Sequence, residues 1–500
     1  VKARPAKVSR AKKTKPSAAG ASRASGLMQI NHIVVLMLEN RSFDQMLGFL
    51  YTNQANKSPL GQPYEGLTGN EYNLDSQGNK VSVFQIPATD PDLYYYPKSD
   101  PGEGFMNTNA QLFGTTTPAA GAPATNGGFV TNFGATLKID QNEQGDSYQP
   151  LPGTVDTDIM GMFTPSQLPV LSALAKGYAV CDQWFGSAPT ETLPNRAFAL
   201  MATSQGHLDD SVRVYTAPSI FTLLRAHGGT WSLYGYDQAP MEQQLVSDIA
   251  KAPAANFGQF QDFKNAVQAG TLANFVFLEP SWGSKGNSQH PNYDVSAGEA
   301  LISQVYTTLF GSKVWNQTLL IITYDEHGGC FDHVPPPANA TPPDNLAGEF
   351  GFQFTRFGPR VPTVLVSPWI AAGTVYRVPQ SGSAAPTPFD HTSVLKTVEN
   401  RFGLPALTKR DAAAPDVSGV LTLTTARTDN PLAGVSAPVN PSPNLIADHV
   451  THLQQVQAQN LSAIPNKSEK KGIPHHDGYP RFKTGTEAAH YIRTRAKSVK

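Results

Sequence analysis

Ile33-Val34-Val35-Leu36-Met37-Leu38, followed at once by Glu39-Asn40-Arg41-Ser42-Phe43-Asp44, is the stretch that decides the fold. Six apolar residues in a row do not alternate as a strand with one wet face does. They read as a strand buried on both faces, the kind found in a parallel sheet covered by helices. A helical pattern follows over residues 42–50. The same alternation recurs along the chain. Tyr178-Ala179-Val180-Cys181 precedes a loop and a helix from Leu193, and residues 219–226 read as a helix ahead of Trp231-Ser232-Leu233-Tyr234. Phe275-Val276-Phe277-Leu278 is a further strand. Residues 296–310 form a helix before Leu319-Leu320-Ile321-Ile322-Thr323-Tyr324, and a strand over 363–367 and a helix over 391–402 close the series. This order predicts one α/β domain on a largely parallel sheet flanked by helices.

Two stretches break the rhythm. Residues 51–150 are polar and rich in Gly, Asn, Pro and Tyr, and read as a loop-rich insertion capping the site; residues 330–362 are Pro-rich and loop-like. Residues 441–500 suggest an amphipathic helix through Ile446, Val450, Leu453 and Val456, then a basic tail. The predicted organisation is a basic arm over 1–26, a catalytic domain over 27–440 and this C-terminal segment.

The net charge of −1 hides an uneven spread. Residues 1–26 carry only basic charges, and Lys467, Lys470, Lys471, Arg481, Lys483, Arg493, Arg495, Lys497 and Lys500 weight the other end. The part between is net acidic. Both ends read as solvated tails; the competing reading is a protein that binds an anionic surface such as a membrane through them. Without regular aromatic interleaving they give no sign of a specific nucleic-acid partner. Two cysteines, Cys181 and Cys330, build no disulfide framework and read as reduced, half-buried thiols. No run approaches the ~18–20 apolar residues of a membrane span, and no apolar segment follows the basic start, so no signal peptide is legible. Compartment stays open: exported if a signal segment has been removed, otherwise cytoplasmic.

Ligands of open α/β sheets bind at the carboxyl ends of strands. Three such ends or loops are dense in polar groups: Glu39-Asn40-Arg41-Ser42-Phe43-Asp44; Thr190-Glu191-Thr192-Leu193-Pro194-Asn195-Arg196; and Tyr324-Asp325-Glu326-His327-Gly328-Gly329, continuing to Asp332-His333. A carboxylate directly after a buried strand is costly unless something neutralises it. Glu39, Asp325 and Glu326 occupy such places, with Asn40 adding a neutral oxygen. An oxygen-rich set of this kind suits one hard or borderline divalent cation. The alternative is that these carboxylates cap helices or pair with Arg41 and Arg196. Thr192 precedes Leu193-Pro194, which places it at or near a helix start, beside backbone N–H groups that an anion could use. A hydroxyl there next to a cation has what a phosphoryl-accepting nucleophile needs; an ordinary structural cap fits the spacing equally well. His290, in a loop after the strand ending Glu279-Pro280, could donate a proton to a leaving group or bind a phosphate oxygen. His327 and His333 flank a Gly-Gly turn beside Asp325 as ligands or as partners behind them, and His391 could be a capping residue.

These segments resemble the phosphoesterase family that holds the bacterial and plant non-specific phospholipases C and the acid phosphatase A group. The matches are Glu39-Asn40-Arg41-Ser42-Phe43-Asp44, Thr192-Leu193-Pro194-Asn195-Arg196, Asp325-Glu326-His327-Gly328-Gly329 with Asp332-His333-Val334, and Gly358-Pro359-Arg360-Val361-Pro362 with Ser367-Pro368. They keep family order across residues 30–405. The resemblance implies an alkaline-phosphatase-like α/β sandwich and one metal held by Glu39, Asn40, Thr192, Asp325 and Glu326. It also implies attack by Thr192 on phosphorus, a phosphothreonine, and its release by water. His290 matches a family histidine near the phosphate. Arg41, Arg196, His327, Asp332, His333 and Glu103 fall where partners of these groups would sit. Glu103 departs from the pattern, since many members carry histidine there. Thr192-x-Pro-x-Arg196 also looks like the sulfatase signature, but threonine cannot be oxidised to the aldehyde that sulfatases use. The expected substrate is a phospholipid cleaved in the manner of a phospholipase C, or else a small phosphomonoester cleaved by an acid phosphatase.

Overall fold

The apolar run of residues 33–38 lies inside β1 (His32–Leu38), in the interior of an eight-stranded sheet. The computed structural model describes residues 26–51, 56–140, 150–380, 385–443, 445–463 and 480–499; the basic arm over 1–25 lies outside them. The other strands of this sheet are β2 (Ala179–Val180), β3 (Trp231–Gly235), β4 (Phe257–Gln259), β5 (Phe275–Glu279), β6 (Thr318–Tyr324), β7 (Thr363–Val366) and β8 (Thr374–Val375). Their spatial order is β8-β2-β7-β6-β1-β5-β3-β4. β1 runs parallel to both neighbours, with Leu36 opposite Leu278 of β5 and Leu38 opposite Tyr324 of β6. β7 alone runs against its neighbours. Every residue from Ile33 to Leu38 and from Thr318 to Tyr324 is buried. Continuous apolar sequence and two covered faces are one fact seen twice.

The helices that position the site are α1 (Phe43–Leu47), α2 (Phe105–Phe113), α3 (Phe129–Asp140), α4 (Pro169–Gly177), α5 (Thr192–Met201), α6 (Ile220–Ala226), α7 (Phe260–Ala269), α8 (Val295–Leu309), α9 (Thr392–Phe402), α10 (His452–Ala463) and α11 (Gly485–Val499). α4, α7 and α8 pack together as one set, and α5, α6 and α9 as another. Starts follow local chemistry: Ser42, Ser219 and Asp294 each cap a helix through a side-chain oxygen.

The insertion over 51–150 is more ordered than its composition suggests. It holds the hairpin Tyr72–Leu74 with Lys80–Ser82, besides α2 and α3. Phe129, Val130, Phe133 and Leu137 of α3 form a small core with Ile159, Met160 and Met162. Residues 330–362 carry only the one-turn helix Glu349–Gly351.

Three expectations need correction. The C-terminal amphipathic helix does not include Ile446 or Val450; it begins at His452. Thr451 Oγ1 accepts the N–H of Gln454 (3.1 Å) while Gln454 Oε1 accepts the N–H of Thr451 (3.2 Å), a reciprocal cap that fixes the start. The basic tail is in part a helix, since α11 packs Ile492 and Ala496 on Ala458 and Leu461 of α10. Spaced four apart, Ala488, Ile492 and Ala496 form a narrow apolar stripe that the surrounding basic residues obscure. Both cysteines are free but fully buried, not half-buried.

Candidate active site

The parallel register decides which side chains meet. Because Leu38 pairs with Tyr324, β1 and β6 end level, and Glu39 and Asp325 leave the sheet side by side. Asp325 N–H donates to Leu38 O (3.3 Å) and Asn40 N–H donates to Asp325 Oδ1 (3.0 Å), so the two strand ends are stitched together. Asn40 sits at φ 54, a left-handed conformation that asparagine tolerates better than most residues. Its Oδ1 accepts from the Thr192 hydroxyl (3.2 Å) and its Nδ2 donates to Glu103 Oε2 (2.6 Å). The three distant segments therefore converge on Asn40.

Glu39, Glu103 and Thr192 line a cleft of about 360 Å3, together with Asp100, Glu191, Asp209, Asp210, Ser211, Trp282, His290, Tyr293, Thr451, His452 and Leu453. Asp325 and Glu326 stand behind it, fully buried. One oxygen of Glu39 and one of Glu326, Oε1 in each case, are buried without a hydrogen-bond partner. Burial, then Asp325 beside it, pushes the Glu39 carboxyl up to about 8. Glu326 is raised well above the usual carboxylate range by burial and Asp325, and Glu103 by burial and Glu326. Glu191 is pushed to about 8 by burial and Asp210, and Asp210 to about 7 chiefly by burial. An assembly of carboxylates that strain against ionising is complementary to a cation. Carboxylate oxygens with the Asn40 and Thr192 oxygens are donors of the kind a hard or borderline divalent ion takes, but among the described residues Glu39, Asp325 and Glu326 are not a trio whose ligand atoms all lie within 4.8 Å of one another.

The arginines are structural anchors of this floor. Arg196 donates through Nε to Asp325 Oδ2 (2.9 Å) and through Nη1 to Glu242 (3.1 Å), and its guanidinium lies 4.5 Å from the Trp282 ring centre. Arg41 is buried and donates to Gln289 O (2.6 Å), His290 O (3.0 Å) and Tyr96 O (2.6 Å), which fixes the loop that carries His290. Pairing with these arginines thus holds for Asp325 and not for Glu39 or Glu326.

Other sequence candidates fall into separate places. His290 Nδ1 lies 3.0 Å from Pro291 O, an acceptor only, so Nδ1 carries the hydrogen and Nε2 the lone pair. Burial pushes this imidazole down to about 3; as placed it offers a lone pair to the cleft, not a proton. His327 is buried against Gln111 (2.8 Å), with Nδ1 3.1 Å from Glu326 Oε2, and burial holds it at about 3. Its neutral ring backs Glu326. His391 Nε2 donates to Asp325 O (2.6 Å) rather than capping its helix. Asp332 and His333 do not reach the cleft. Arg360 donates to Asp332 (2.9 Å) and Asp44 (2.8 Å), and His333 Nδ1 meets Asp44 Oδ2 (2.6 Å), a buried network one helix away. Burial opposes charge on His333, yet Asp44 raises its pKa overall.

Thr192 is the first residue of α5 and Glu191 its cap position. The helix start is less open than the sequence suggested, because Leu193 N–H donates to Asp210 Oδ1 (2.7 Å). Sequence reasoning also missed Asp100, Asp209, Asp210, Trp282 and the wall from α10. The loop acids carry no periodic signal; the Thr451-x-x-Gln454 cap was the available clue to the wall.

The family model described as "Phosphoesterase family" matches residues 30–405. Non-specific phospholipase C4 of Arabidopsis thaliana is 34% identical over 424 residues, covering 81% of this chain and 74% of the relative. Phospholipase C B of Mycobacterium tuberculosis (strain ATCC 25618 / H37Rv) is 27% identical over 516 residues, covering 93% and 89%. A solved protein of the alkaline phosphatase superfamily from Vibrio parahaemolyticus superposes at a TM-score of 0.30 with 13% identity, over 51% of this chain and 65% of that one. With both ends of its central strands inside the matched region, the chain belongs to the phosphoesterase family and is a phosphoric ester hydrolase.

Proposed function

We propose that the chain acts as a phospholipase C, cleaving the bond between phosphorus and the glycerol oxygen of a phospholipid, with Thr192 as nucleophile. The carrying observation is the Thr192 hydroxyl on the cleft wall that Glu39 also lines, 3.2 Å from Asn40 Oδ1. Glu39, Asn40, Thr192, Asp325 and Glu326 would hold one divalent cation. When bound, such an ion lowers the pKa of a neighbouring hydroxyl and offsets charge on a phosphoryl group.

Asn40, pinned by Asp325 and Glu103, holds the Thr192 oxygen at one place in the cleft. Thr192 Oγ1 loses its proton as its bond to phosphorus forms; the bond to glycerol breaks, and the diacylglycerol oxygen takes up a proton. Water then hydrolyses the phosphothreonine and releases the phosphorylated head group. Arg196 holds the Asp325 carboxylate in position, and Arg41 keeps His290 in place. Among the described residues the lining holds six carboxylates and no lysine or arginine, and only Asp209 of the six is paired with an arginine, Arg213. Like-charge repulsion therefore weighs more on a doubly charged monoester than on a singly charged diester, which favours the lipase reading over the acid phosphatase.

Thr192→Ala should lower turnover on phosphatidylcholine at least ~1,000-fold with the fold intact by circular dichroism, whereas Thr192→Ser keeps measurable turnover. Near-normal turnover of the alanine variant sinks the nucleophile assignment. Parallel assays on p-nitrophenyl phosphate test the choice of ester: faster hydrolysis of the monoester overturns the lipase reading.

A further inference from the structure

Surface loops usually send charge outward and apolar side chains inward. Val212-Arg213-Val214 does the reverse. Arg213 turns in to pair with Asp209 and its side chain is 13% exposed, while Val212 and Val214 are 38% and 51% exposed. This segment directly follows Asp209, Asp210 and Ser211, which line the cleft. A second loop behaves alike: Leu346 is 70% and Phe350 65% exposed. Phe350 sits at φ 54, a left-handed conformation that costs a bulky residue free energy. Water around the ring returns none of it.

The two loops form one surface. Glu349 N–H donates to Gly206 O (2.8 Å), Leu208 N–H donates to Glu349 Oε2 (2.7 Å), and His207 Nδ1 meets Glu349 Oε1 (3.0 Å). The Phe350 ring stacks on Phe105 with centres 5.7 Å apart, two residues beyond Glu103 of the cleft. Phe105 in turn packs with Phe198, Leu208 and Phe354, and Phe198 lies on α5, the helix that starts at Thr192. Single exposed apolar residues are ordinary; a set of them at the edge of a binding cleft marks a contact surface.

We infer that Val212, Val214, Leu346 and Phe350 dip into the outer layer of a phosphatidylcholine bilayer and set the cleft over the lipid to be cleaved. The inference rests on the phospholipase reading, whose substrate is drawn from a bilayer. Charge selects this occupant over an acidic one. The six carboxylates of the cleft repel an anionic surface. On the loops themselves, Arg213 pairs with Asp209 and His207 with Glu349. The outward rim is left neutral and apolar, and suits a zwitterionic lipid surface where buried apolar area supplies the attraction.

The test separates binding from turnover. Full-length protein is sedimented with sucrose-loaded phosphatidylcholine vesicles, and hydrolysis is followed on those vesicles and on dihexanoylphosphatidylcholine dissolved as monomers. Wild type should bind the vesicles, and high salt should not release it. Leu346→Ser/Phe350→Ser should bind at least ~10-fold more weakly and lose vesicle turnover to match. Its turnover of the monomeric lipid should stay within about twofold of wild type. Val212→Ser/Val214→Ser, on the other loop, should do the same, and serves alone if the first variant misfolds. Cys181 and Cys330 are buried, so a fluorophore on Leu346→Cys reports on the rim, and nitroxide-labelled acyl chains should quench it. Unchanged vesicle binding in the variants overturns the surface, as does release by salt, which would point to the basic ends. So does a wild-type dimer that the variants dissociate, since a second copy would then cover the rim. Equal losses on both lipids also overturn it. Vesicle binding that the variants weaken, without hydrolysis of either lipid, keeps the surface and removes the phospholipase reading; hydrolysis of the monomeric lipid without vesicle binding does the opposite.

Discussion

Asn40 ties together three parts of the active site. Its backbone N–H holds Asp325, its amide oxygen receives Thr192, and its amide nitrogen reaches Glu103. Asn40→Asp keeps the shape but sets a carboxylate against Glu103 at a distance where the amide donates. The expected result is a roughly 10- to 100-fold loss of kcat, together with weaker metal binding by calorimetry. A change below about threefold would mean that the amide only fills space. At this scale the sequence was partly legible. Glu39, Asn40, Thr192 and Asp325 could be grouped because acids after buried strands demand compensation. Asp332 and His333 were grouped with them because they follow Gly328-Gly329 closely in sequence; the turn at these positive-φ glycines instead carries the chain away to Arg360.

Two elements are fixed by contrasting means. Arg360 links Asp44 of α1, Asp332 and the Asp182 carbonyl, all buried. Removing one partner of a buried ion network leaves charges uncompensated. Arg360→Met should therefore cost about 3–5 kcal/mol in urea unfolding, and a cost under about 1 kcal/mol would show the network to be dispensable. The helix α10 depends on its reciprocal cap. Thr451→Ala should cost about 1 kcal/mol, and because His452 and Leu453 form one wall, KM for phosphatidylcholine should rise more than kcat falls. An unchanged KM would place that wall outside substrate contact. Elements with long apolar runs, β1, β5 and β6, were readable from sequence. β4 was not: three residues with a glycine at the sheet edge give no pattern to read.

Across the whole molecule, stability should follow pH through Glu299. This carboxylate on α8 accepts the N–H groups of Val170 (2.7 Å) and Leu171 (3.0 Å) at the start of α4, yet burial pushes it up to about 7. Its folded pKa lies above its unfolded value of 4.5, so the folded state binds more protons in between. Stability is therefore highest below pH 4.5 as far as this group is concerned, and falls as pH rises to about 7, by on the order of 3 kcal/mol. Thermal unfolding of wild type and Glu299→Gln from pH 4.5 to 7.5 checks this: the variant should lose that component of the slope, and parallel curves would refute it. The level ending of β1 and β6 has a further consequence. Side chains alternate along a strand, so a slip of one residue between these two would turn Glu39 to the opposite face and exchange the side chains packed on the two covered faces. The hydrophobic interior thus acts as a ratchet for the chemistry. Misalignment costs core packing before it costs activity, and surface loops are free to diverge while the acid spacing stays put.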